Sequence, residues 1–238
     1  ISGKRALVLG ASRGLGGAIA AALAAEGVEV LGASRSSTFP VDLADARSVA
    51  ALAEAVLARG GVDILVNNTG GPKAGPAKGE SAANWTAAFE AMAASLFSLT
   101  DALLPAMIER RWGRIITVGS SGVVQPTPGL ALSTGVRGAI AGWSKTLAAE
   151  VAPYGITANM VLPGRIETDR VRELDQVKST RTGMSAADVR AASEAEIPAG
   201  RYGRPEEFGA VVAFLASRQA SYVTGGMIRV DGGAIKGL

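Results

Sequence analysis

The sequence predicts a doubly wound α/β fold, a single domain in which helices cover both faces of a seven-stranded parallel sheet. Three observations predict this class. Short apolar runs alternate with longer Ala- and Leu-rich runs, a pattern typical of a parallel sheet covered on both faces. A glycine-rich turn joins the first apolar run to the first helical run. No repeat or low-complexity linker divides the 238 residues, and α/β folds of this length often form one unit.

The position of each element follows from this alternation. We expect strands at Ala6–Leu9, Val28–Leu31, Phe39–Val41, Ile64–Val66, Arg114–Val118, Thr157–Val161 and Met227–Val230. Helices are expected near Leu15–Ala25, Ala46–Ala58, Trp85–Arg110, Leu132–Val151 and Pro205–Ala216.

Two segments depart from the alternation. Only the short stretch from Arg35 to Phe39 separates the second and third strands, although parallel neighbours normally need a crossover helix. We therefore predict that this helix has been lost. The stretch from Asp169 to Arg204 is polar and weakly periodic, and it is expected to be a mobile flap or a pair of short helices that controls the substrate.

Composition excludes several function classes. There are no cysteines and no histidines, which argues against disulfides, thiolate chemistry and a metal site, and suits a reducing cytoplasm. The 24 basic and 21 acidic residues are spread through the chain, so no nucleic-acid site is expected. The apolar stretches are interrupted before membrane-spanning length and no signal-peptide pattern opens the sequence, so a cytoplasmic protein without membrane contact is predicted.

The glycine-rich turn is the strongest functional signal. Gly10, Gly14 and Gly16 follow a buried strand and open an Ala-rich helix. Glycines at such a turn let the backbone approach a pyrophosphate, whose charge the helix N-terminus stabilises. The turn alone would be weak evidence, but its place between strand and helix predicts a dinucleotide site of the Rossmann type.

Further motifs follow in order along nearly the whole chain, and with them the sequence resembles the short-chain dehydrogenase/reductase family, especially its 3-oxoacyl-carrier-protein reductase-like branch. The motifs are Asn67-Asn68-Thr69-Gly70, the strand from Arg114 to Ser120, Pro163-Gly164-Arg165-Ile166-Glu167-Thr168, Gly203-Arg204-Pro205-Glu206-Glu207, and Val223-Thr224-Gly225 with Asp231-Gly232-Gly233. The resemblance implies a small-molecule substrate and a homotetramer or homodimer assembled through the two long helices and the C-terminal strand.

The charge at the end of the second strand indicates which cofactor is preferred. A carboxylate there would hold the ribose 2′-hydroxyl of NAD, but no acidic residue occurs from Val30 to Phe39. Arginines and serines occupy the region instead and suit a 2′-phosphate, so NADP is favoured and NAD is less expected. The predicted cofactor contacts are Gly10, Ser12, Arg13, Gly14, Leu15, Gly16, Ser34, Arg35, Ser36, Asp42, Leu43, Asn68, Gly70, Arg137, Pro163, Gly164 and Ile166.

The catalytic positions implied by the resemblance are mostly replaced. The family serine is present as Ser120, but its tyrosine position falls on Ser133 and its lysine position on Arg137. The position of its helical asparagine falls on Met92. A serine hydroxyl is a far weaker acid than a phenol, which titrates near ~10, so Ser133 alone cannot replace the tyrosine as proton donor.

Nothing nearby restores the site convincingly. Tyr202 is the least implausible substitute tyrosine, although a packing role is favoured for it, and Lys145 is expected to be a surface lysine. A water held by Ser120, Ser133 and Arg137 could relay a proton, or these three residues could form an anion pocket for a carboxylate or phosphate.

Three functions are therefore open. The first is an NADP(H)-dependent oxidoreductase on a carbonyl/alcohol pair, with Ser120, Ser133 and Arg137 in an altered proton relay. The second is a catalytically weak nucleotide sensor or a non-catalytic partner subunit. A relic that binds nothing is the least favoured, because the glycines and arginines of the turn would then have no purpose.

Overall fold

The computed structural model describes residues 1–237 and contains a seven-stranded parallel sheet in the order β3-β2-β1-β4-β5-β6-β7. The predicted fold class is confirmed. The strands are β1 (Arg5–Leu9), β2 (Glu29–Ser34), β3 (Phe39–Pro40), β4 (Ile64–Asn67), β5 (Gly113–Val118), β6 (Ile156–Pro163) and β7 (Met227–Val230). The sequence misplaced β2 most, since that strand runs three residues past the predicted end at Leu31.

Eight α-helices connect the strands within the described residues. They are α1 (Gly14–Ala25), α2 (Ala46–Leu57), α3 (Ala82–Phe89), α4 (Ser95–Glu109), α5 (Ala131–Val151), α6 (Asp169–Thr182), α7 (Ala186–Ala195) and α8 (Pro205–Ala216). Helices α1 and α8 pack on one face of the sheet, while α2, α4 and α5 pack on the other. Alternate strand residues serve the two cores: Leu7 and Leu65 face α2, α4 and α5, and Val8 and Val66 face α1 and α8.

A short turn replaces the crossover helix between β2 and β3, as predicted. The Ser37 hydroxyl fixes this turn, accepting a hydrogen bond from the Ser34 amide at 2.7 Å and donating to the Phe39 carbonyl at 2.9 Å. The end of β2 therefore leads directly into an exposed loop that carries Arg35 and Ser36.

The helical stretch expected over Trp85–Arg110 is present, but it is not a regular α-helix throughout. A π-helical turn, Glu90–Ala94, separates α3 from α4, and the amide of Ser95 donates to the carbonyl of Glu90 five residues earlier. Turns of this kind add one residue to the helical repeat and often occur at functional sites. Here the turn carries the buried side chain of Met92.

Residues 82–109 nevertheless form one helical rod that is long and apolar enough, by length and composition alone, to span a membrane. As expected from the sequence, Glu90 and Asp101 interrupt its apolar run, although the helix as a whole reaches this length. The apolarity has a second explanation, because Leu96, Leu99, Leu103 and Met107 bury one side of the rod in the core against the sheet. Core helices of globular proteins pass the same test.

The polar stretch between Asp169 and Arg204 contains two helices, which was one of its two predicted forms. Thr168 caps α6, the left-handed Gly183 ends it, and Ser185 caps α7. The two helices lie beside the carboxyl ends of the strands, where they line one side of a cavity.

Candidate functional site

A cavity of about 1520 Å³ lies at the carboxyl ends of β1, β4, β5 and β6. The strand order reverses between β1 and β4, and ligands of open α/β sheets bind in the crevice formed at such a point. Every residue predicted to contact cofactor or substrate lines this one cavity: Gly10, Ser12, Arg13, Gly14, Leu15, Gly16, Ser34, Arg35, Ser36, Asp42, Leu43, Asn68, Gly70, Ser120, Ser133, Arg137, Pro163, Gly164 and Ile166.

The glycine turn between β1 and α1 needs glycine for two separate reasons. Gly10 and Gly14 have φ angles of +66° and +55°, a region that other residues seldom adopt. Gly16 has no room for a side chain, because an added Cβ would overlap the carbonyl oxygen of Gly10 and lie 2.8 Å from Nδ2 of Asn68. The Asn68 side chain in turn donates to the Leu9 carbonyl at 3.0 Å and ties β4 to the turn.

The N-terminus of α1 fits a pyrophosphate. No side chain caps the helix and no acidic residue occupies its first turn, so its free amide groups and positive dipole end face the cavity. Ser12 and Arg13 line the same wall and add a hydroxyl and a guanidinium. This arrangement suits a doubly charged phosphate linkage.

The loop after β2 forms the outer end of the cavity. Arg13 and Arg35 are exposed there, and neither forms a salt bridge within residues 1–237. Asp42 also lines the cavity and accepts a hydrogen bond from the Ala44 amide at 3.0 Å. The cavity thus has two unpaired guanidinium groups at the end where the sequence predicts a 2′-phosphate.

The Pro163-Gly164 turn closes the floor at the end of β6. Gly164 packs so closely on Asp231 that an added Cβ would lie 2.7 Å from the Asp231 Cα. Asp231 itself accepts hydrogen bonds from the amides of Gly233 and Ile235, both at 3.0 Å. The C-terminal Asp231-Gly232-Gly233 motif therefore supports the Pro163-Gly164 turn by direct contact, which explains why these two distant motifs occur together.

Ser120 and Ser133 both line the inner end of the cavity. Ser120 follows β5, and its Oγ accepts a hydrogen bond from the Gly122 amide at 3.1 Å. Ser133 lies in the first turn of α5, half-buried. Met92 from the π-helical turn lines the same end and contributes only apolar surface.

Arg137 is buried, with 7% of its surface exposed, and reaches the same end from the second turn of α5. Its Nη1 donates to the Val118 carbonyl at 2.8 Å, and its Nη2 donates to the Thr69 carbonyl at 3.5 Å. Burial lowers the pKa of Arg137 to about 10, and the nearby charge of Arg170 acts in the same direction. The group therefore remains a cation at neutral pH, held between the ends of β4 and β5.

None of the three tyrosines lines the cavity. Tyr202 is buried against the α6–α7 segment and donates its hydroxyl proton to Asp175 at 2.9 Å, while burial raises its pKa. Tyr154 and Tyr222 are exposed. Lys145 is also outside the cavity, donating to the Gly225 carbonyl at 3.1 Å. The position of Tyr202 fits packing, and no phenol replaces the missing one.

Sequence reasoning missed two residues at this inner end. Thr69 belongs to the recognised motif Asn67-Asn68-Thr69-Gly70 but was not predicted as a site residue, and its buried Oγ1 has no hydrogen-bond partner within residues 1–237. Arg170, the second residue of α6, lines the cavity and donates to the Pro72 carbonyl at 2.8 Å. No periodicity in the polar stretch could have indicated that α6 would bring a second arginine toward Arg137.

Comparisons with known proteins agree with this geometry. A family model described as Enoyl-(Acyl carrier protein) reductase matches residues 10–234. The 3-oxoacyl-[acyl-carrier-protein] reductase FabG of Salmonella typhimurium is 39% identical over 247 residues, covering 97% of each chain. Nodulation protein G of Azospirillum brasilense is 36% identical, covering 98% of each chain.

Solved structures extend the likeness to NADPH-binding reductases. L-sorbose reductase from Gluconobacter frateurii, solved with NADPH and L-sorbose, has a TM-score of 0.94 and 30% identity over 100% of this chain and 98% of its own. An actinorhodin polyketide ketoreductase variant with NADPH has a TM-score of 0.91 and 31% identity, covering 97% of each chain. The backbone that surrounds the cavity is therefore shared with proteins solved with NADPH.

Proposed function

Because the chain belongs to the short-chain dehydrogenase/reductase family, we propose that it is an NADP(H)-dependent oxidoreductase acting on a carbonyl/alcohol pair through an altered proton relay. One observation carries the proposal: a single cavity joins an intact phosphate cradle at α1 to Ser120, Ser133 and Arg137 at the inner end. The residues predicted to contact the cofactor all line this cavity, and the chemical half has polar groups but no phenol.

The preference for NADP over NAD rests on charge. Arg13 and Arg35 lie at the outer end of the cavity without carboxylate partners in residues 1–237, so a 2′-phosphate there would gain two cations. The segment from Val30 to Phe39 contains no carboxylate, so no acidic side chain there repels the phosphate. The likeness to NADPH-bound reductases supports the same choice.

The proposed chemistry uses groups that line the inner end, together with a reduced nicotinamide and a water molecule. The nicotinamide, when bound, would supply the hydride to the carbonyl carbon. Ser120 donates a hydrogen bond to the substrate oxygen and orients it, and Arg137 positions the cofactor and stabilises the alkoxide that develops. A water beside Ser133 gives its proton to that oxygen, and the resulting hydroxide is neutralised by solvent. The weak acidity of water makes this relay slow compared with a phenol.

The second candidate is a nucleotide sensor or non-catalytic partner subunit. It is favoured by the simultaneous change of three positions, Met92, Ser133 and Arg137, and by the absence of any tyrosine from the cavity lining. Both candidates require NADPH binding, so they differ only in turnover.

A triple variant, Met92→Asn, Ser133→Tyr and Arg137→Lys, discriminates between them. We expect the unmodified protein to oxidise NADPH with at least one member of a panel of ketones, quinones and acyl thioesters, measured by the loss of absorbance of the reduced nicotinamide. Activity equal to or above that of the triple variant would exclude the sensor.

The opposite result would exclude the enzyme: tight NADPH binding by the unmodified protein without turnover, together with activity gained by the triple variant. Arg47→Ser is a suitable control variant, because the Arg47 side chain is 95% exposed and outside the cavity. Failure of the unmodified protein to bind NADPH or NADH would remove both candidates.

We further propose a cytoplasmic homotetramer or homodimer assembled through the long helices and the C-terminal strand. Aromatic rings lie together at the surface of those helices: Phe97 of α4 packs on Trp143 of α5 with centroids 4.5 Å apart, and Phe89 is 41% exposed. Met227 on the edge strand β7 is also exposed. Light scattering of the purified protein tests this assembly directly.

A further inference from the structure

The inner end of the cavity contains a buried cation without a counter-ion. Arg137 is hydrogen-bonded only to two backbone carbonyls, and no carboxylate lies within salt-bridge distance of it in the described part of the chain. Carbonyl groups contribute dipoles but no opposite charge. Buried charges in folded proteins are normally paired, so this arrangement is costly unless a ligand completes it.

Three neighbouring features have the same polarity. Arg170 of α6 lines the cavity, where it pairs with Glu173 at 3.4 Å, and its charge adds to burial in lowering the pKa of Arg137. The N-terminus of α5 has no side-chain cap and no acidic residue in its first turn, and its first residues line the cavity. Thr69 adds a buried hydroxyl that has no partner. A bound anion would be attracted by Arg170 and by the helix N-terminus, and it would give the Thr69 hydroxyl a hydrogen-bond partner.

The guanidinium retains the donors that such an anion needs. It has five N–H groups, of which the carbonyls of Val118 and Thr69 occupy two. One of the three others can meet a cofactor hydroxyl, and two can form the fork that binds a carboxylate or phosphate oxygen pair. A lysine at this position would offer a single point charge without that fork.

We infer that the substrate carries an anionic group, a carboxylate or a phosphate ester, which binds Arg137 beside the N-terminus of α5 with Arg170 closing over it. This inference rests on the proposed function and names the substrate class of the same site. It also gives Arg137 a counter-ion in the substrate complex, whereas a neutral ketone would offer negative charge only as the alkoxide develops.

The first test needs no variant. Protein saturated with NADPH is titrated with keto acids of three to eight carbons and with their methyl esters, and with dihydroxyacetone phosphate and dihydroxyacetone, while the fluorescence of bound NADPH is followed. We expect at least one anion to bind tenfold or more tightly than its neutral counterpart. The acid arm and the phosphate arm identify which anion is preferred, and equal binding in every pair would overturn the inference.

Substitutions of Arg137 and Arg170 test whether the preference for the anion arises at these two residues. Arg137→Met should abolish the preference for the anion, Arg137→Lys should retain part of it, and Arg170→Met should reduce it about threefold. The affinity for NADPH should change less than threefold in Arg170→Met, which is not a predicted cofactor contact. The Arg137 variants remove or alter a predicted cofactor contact and are therefore compared at saturating NADPH. Arg170 is partly exposed, so its variant is informative even where a change at the buried Arg137 prevents folding. An anion preference that survives both Arg137→Met and Arg170→Met would overturn the assignment to this site.

The same titrations, carried out without NADPH and monitored by calorimetry, distinguish a failure of the proposed oxidoreductase function from a failure of the anionic-substrate inference. NADPH binding without any anion preference refutes the anionic substrate and leaves the oxidoreductase intact. An anion preference that depends on Arg137 in a protein that binds neither NADPH nor NADH refutes the oxidoreductase and supports the anion site on its own.

Discussion

At both ends of the cavity a strand leads into the N-terminus of a helix, but the groups that shape the two ends differ. At the outer end β1 leads through a turn into α1, and at the inner end β5 leads through a longer connection into α5. Both helices present uncapped N-termini without acidic residues in the first turn, and both ends carry arginine. The glycine turn at the outer end is shaped by backbone contacts, whereas the inner end depends on side chains.

That difference explains which half has kept the motifs of the family. Gly10 and Gly16 are fixed by backbone geometry and by contact with Asn68, so the fold itself constrains them. Ser133 and Met92 constrain the fold much less, because a side chain that faces a cavity can change without moving a strand. Chemistry can therefore diverge at the inner end while cofactor binding at the outer end remains.

The largest expected effect tests the backbone half. Gly16→Ala places a methyl group into the carbonyl oxygen of Gly10, so the glycine turn must move and NADPH affinity should fall at least about 100-fold, with or without loss of folding. Gly17→Ala is the matched control, because its Cβ would lie 3.5 Å from the Ala11 carbonyl oxygen, an ordinary contact, and alanine is favoured in helices. Calorimetric titration with NADPH and thermal unfolding measure both effects.

Equal NADPH affinities for Gly16→Ala and Gly17→Ala would contradict the view that close backbone contact shapes the outer end. The turn would then have enough freedom to accept a side chain, and the contrast between a rigid outer end and a variable inner end would fail.

A smaller effect is expected where the outer end uses a side chain. Arg35→Ser removes one guanidinium from the region assigned to the 2′-phosphate, and a charge-assisted hydrogen bond of about 1.5–3 kcal/mol corresponds to roughly a tenfold to hundredfold loss of NADPH affinity. NADH affinity should change less than about threefold, since it lacks the phosphate. Arg47→Ser changes net charge equally but lies outside the cavity and should leave both affinities unchanged.

A uniform loss of affinity for NADPH and NADH in Arg35→Ser would mean that the arginine acts through the shape of the loop. A loss in Arg47→Ser of the same size would point to the overall charge of the protein instead.

The fold and the glycine turn at the outer end of the cavity could be predicted from the sequence for a physical reason. Strand burial, helix periodicity and glycine turns are local signals, so the sheet, the lost crossover helix and the cavity lining at α1 could all be derived from neighbouring residues. The C-terminal elements Pro205–Ala216 and Met227–Val230 were placed at the residues where they occur. Errors fell at element ends and within the long helix, where the π-helical turn has no periodic signature.

The side-chain half was less predictable because it depends on contacts between distant residues. Arg170 reaches Pro72 across 98 positions of sequence, and Arg137 reaches the Thr69 carbonyl across 68. The sequence could identify Arg137 as a replaced lysine position, but the lack of a carboxylate partner is a property of the folded chain. Similarly, the polar stretch over 169–204 gave no sign that Asp175 would be buried.

The smallest expected effect concerns the contact that holds this stretch in place. Asp175 of α6 accepts hydrogen bonds from Arg165 and from the Tyr202 hydroxyl, and Arg190 of α7 stacks on the Tyr202 ring with its Cζ 4.9 Å from the centroid. These contacts fasten α6, and with it Arg170, to the end of β6. The stability of the α6–α7 segment therefore depends on contacts near the inner end of the cavity and not on the glycine turn at α1.

Tyr202→Phe should loosen that segment and leave the outer end unchanged. Loss of one hydrogen bond to a carboxylate, partly compensated by Arg165, should speed hydrogen exchange of the α6 amides about threefold to tenfold. The affinity for NADPH should stay within twofold. Tyr154→Phe is the matched control, because it removes the same hydroxyl from an exposed ring. Exchange that accelerates equally in α1 and α6 would mean that the two ends of the cavity open together, and the division into a rigid backbone half and an adaptable side-chain half would be wrong.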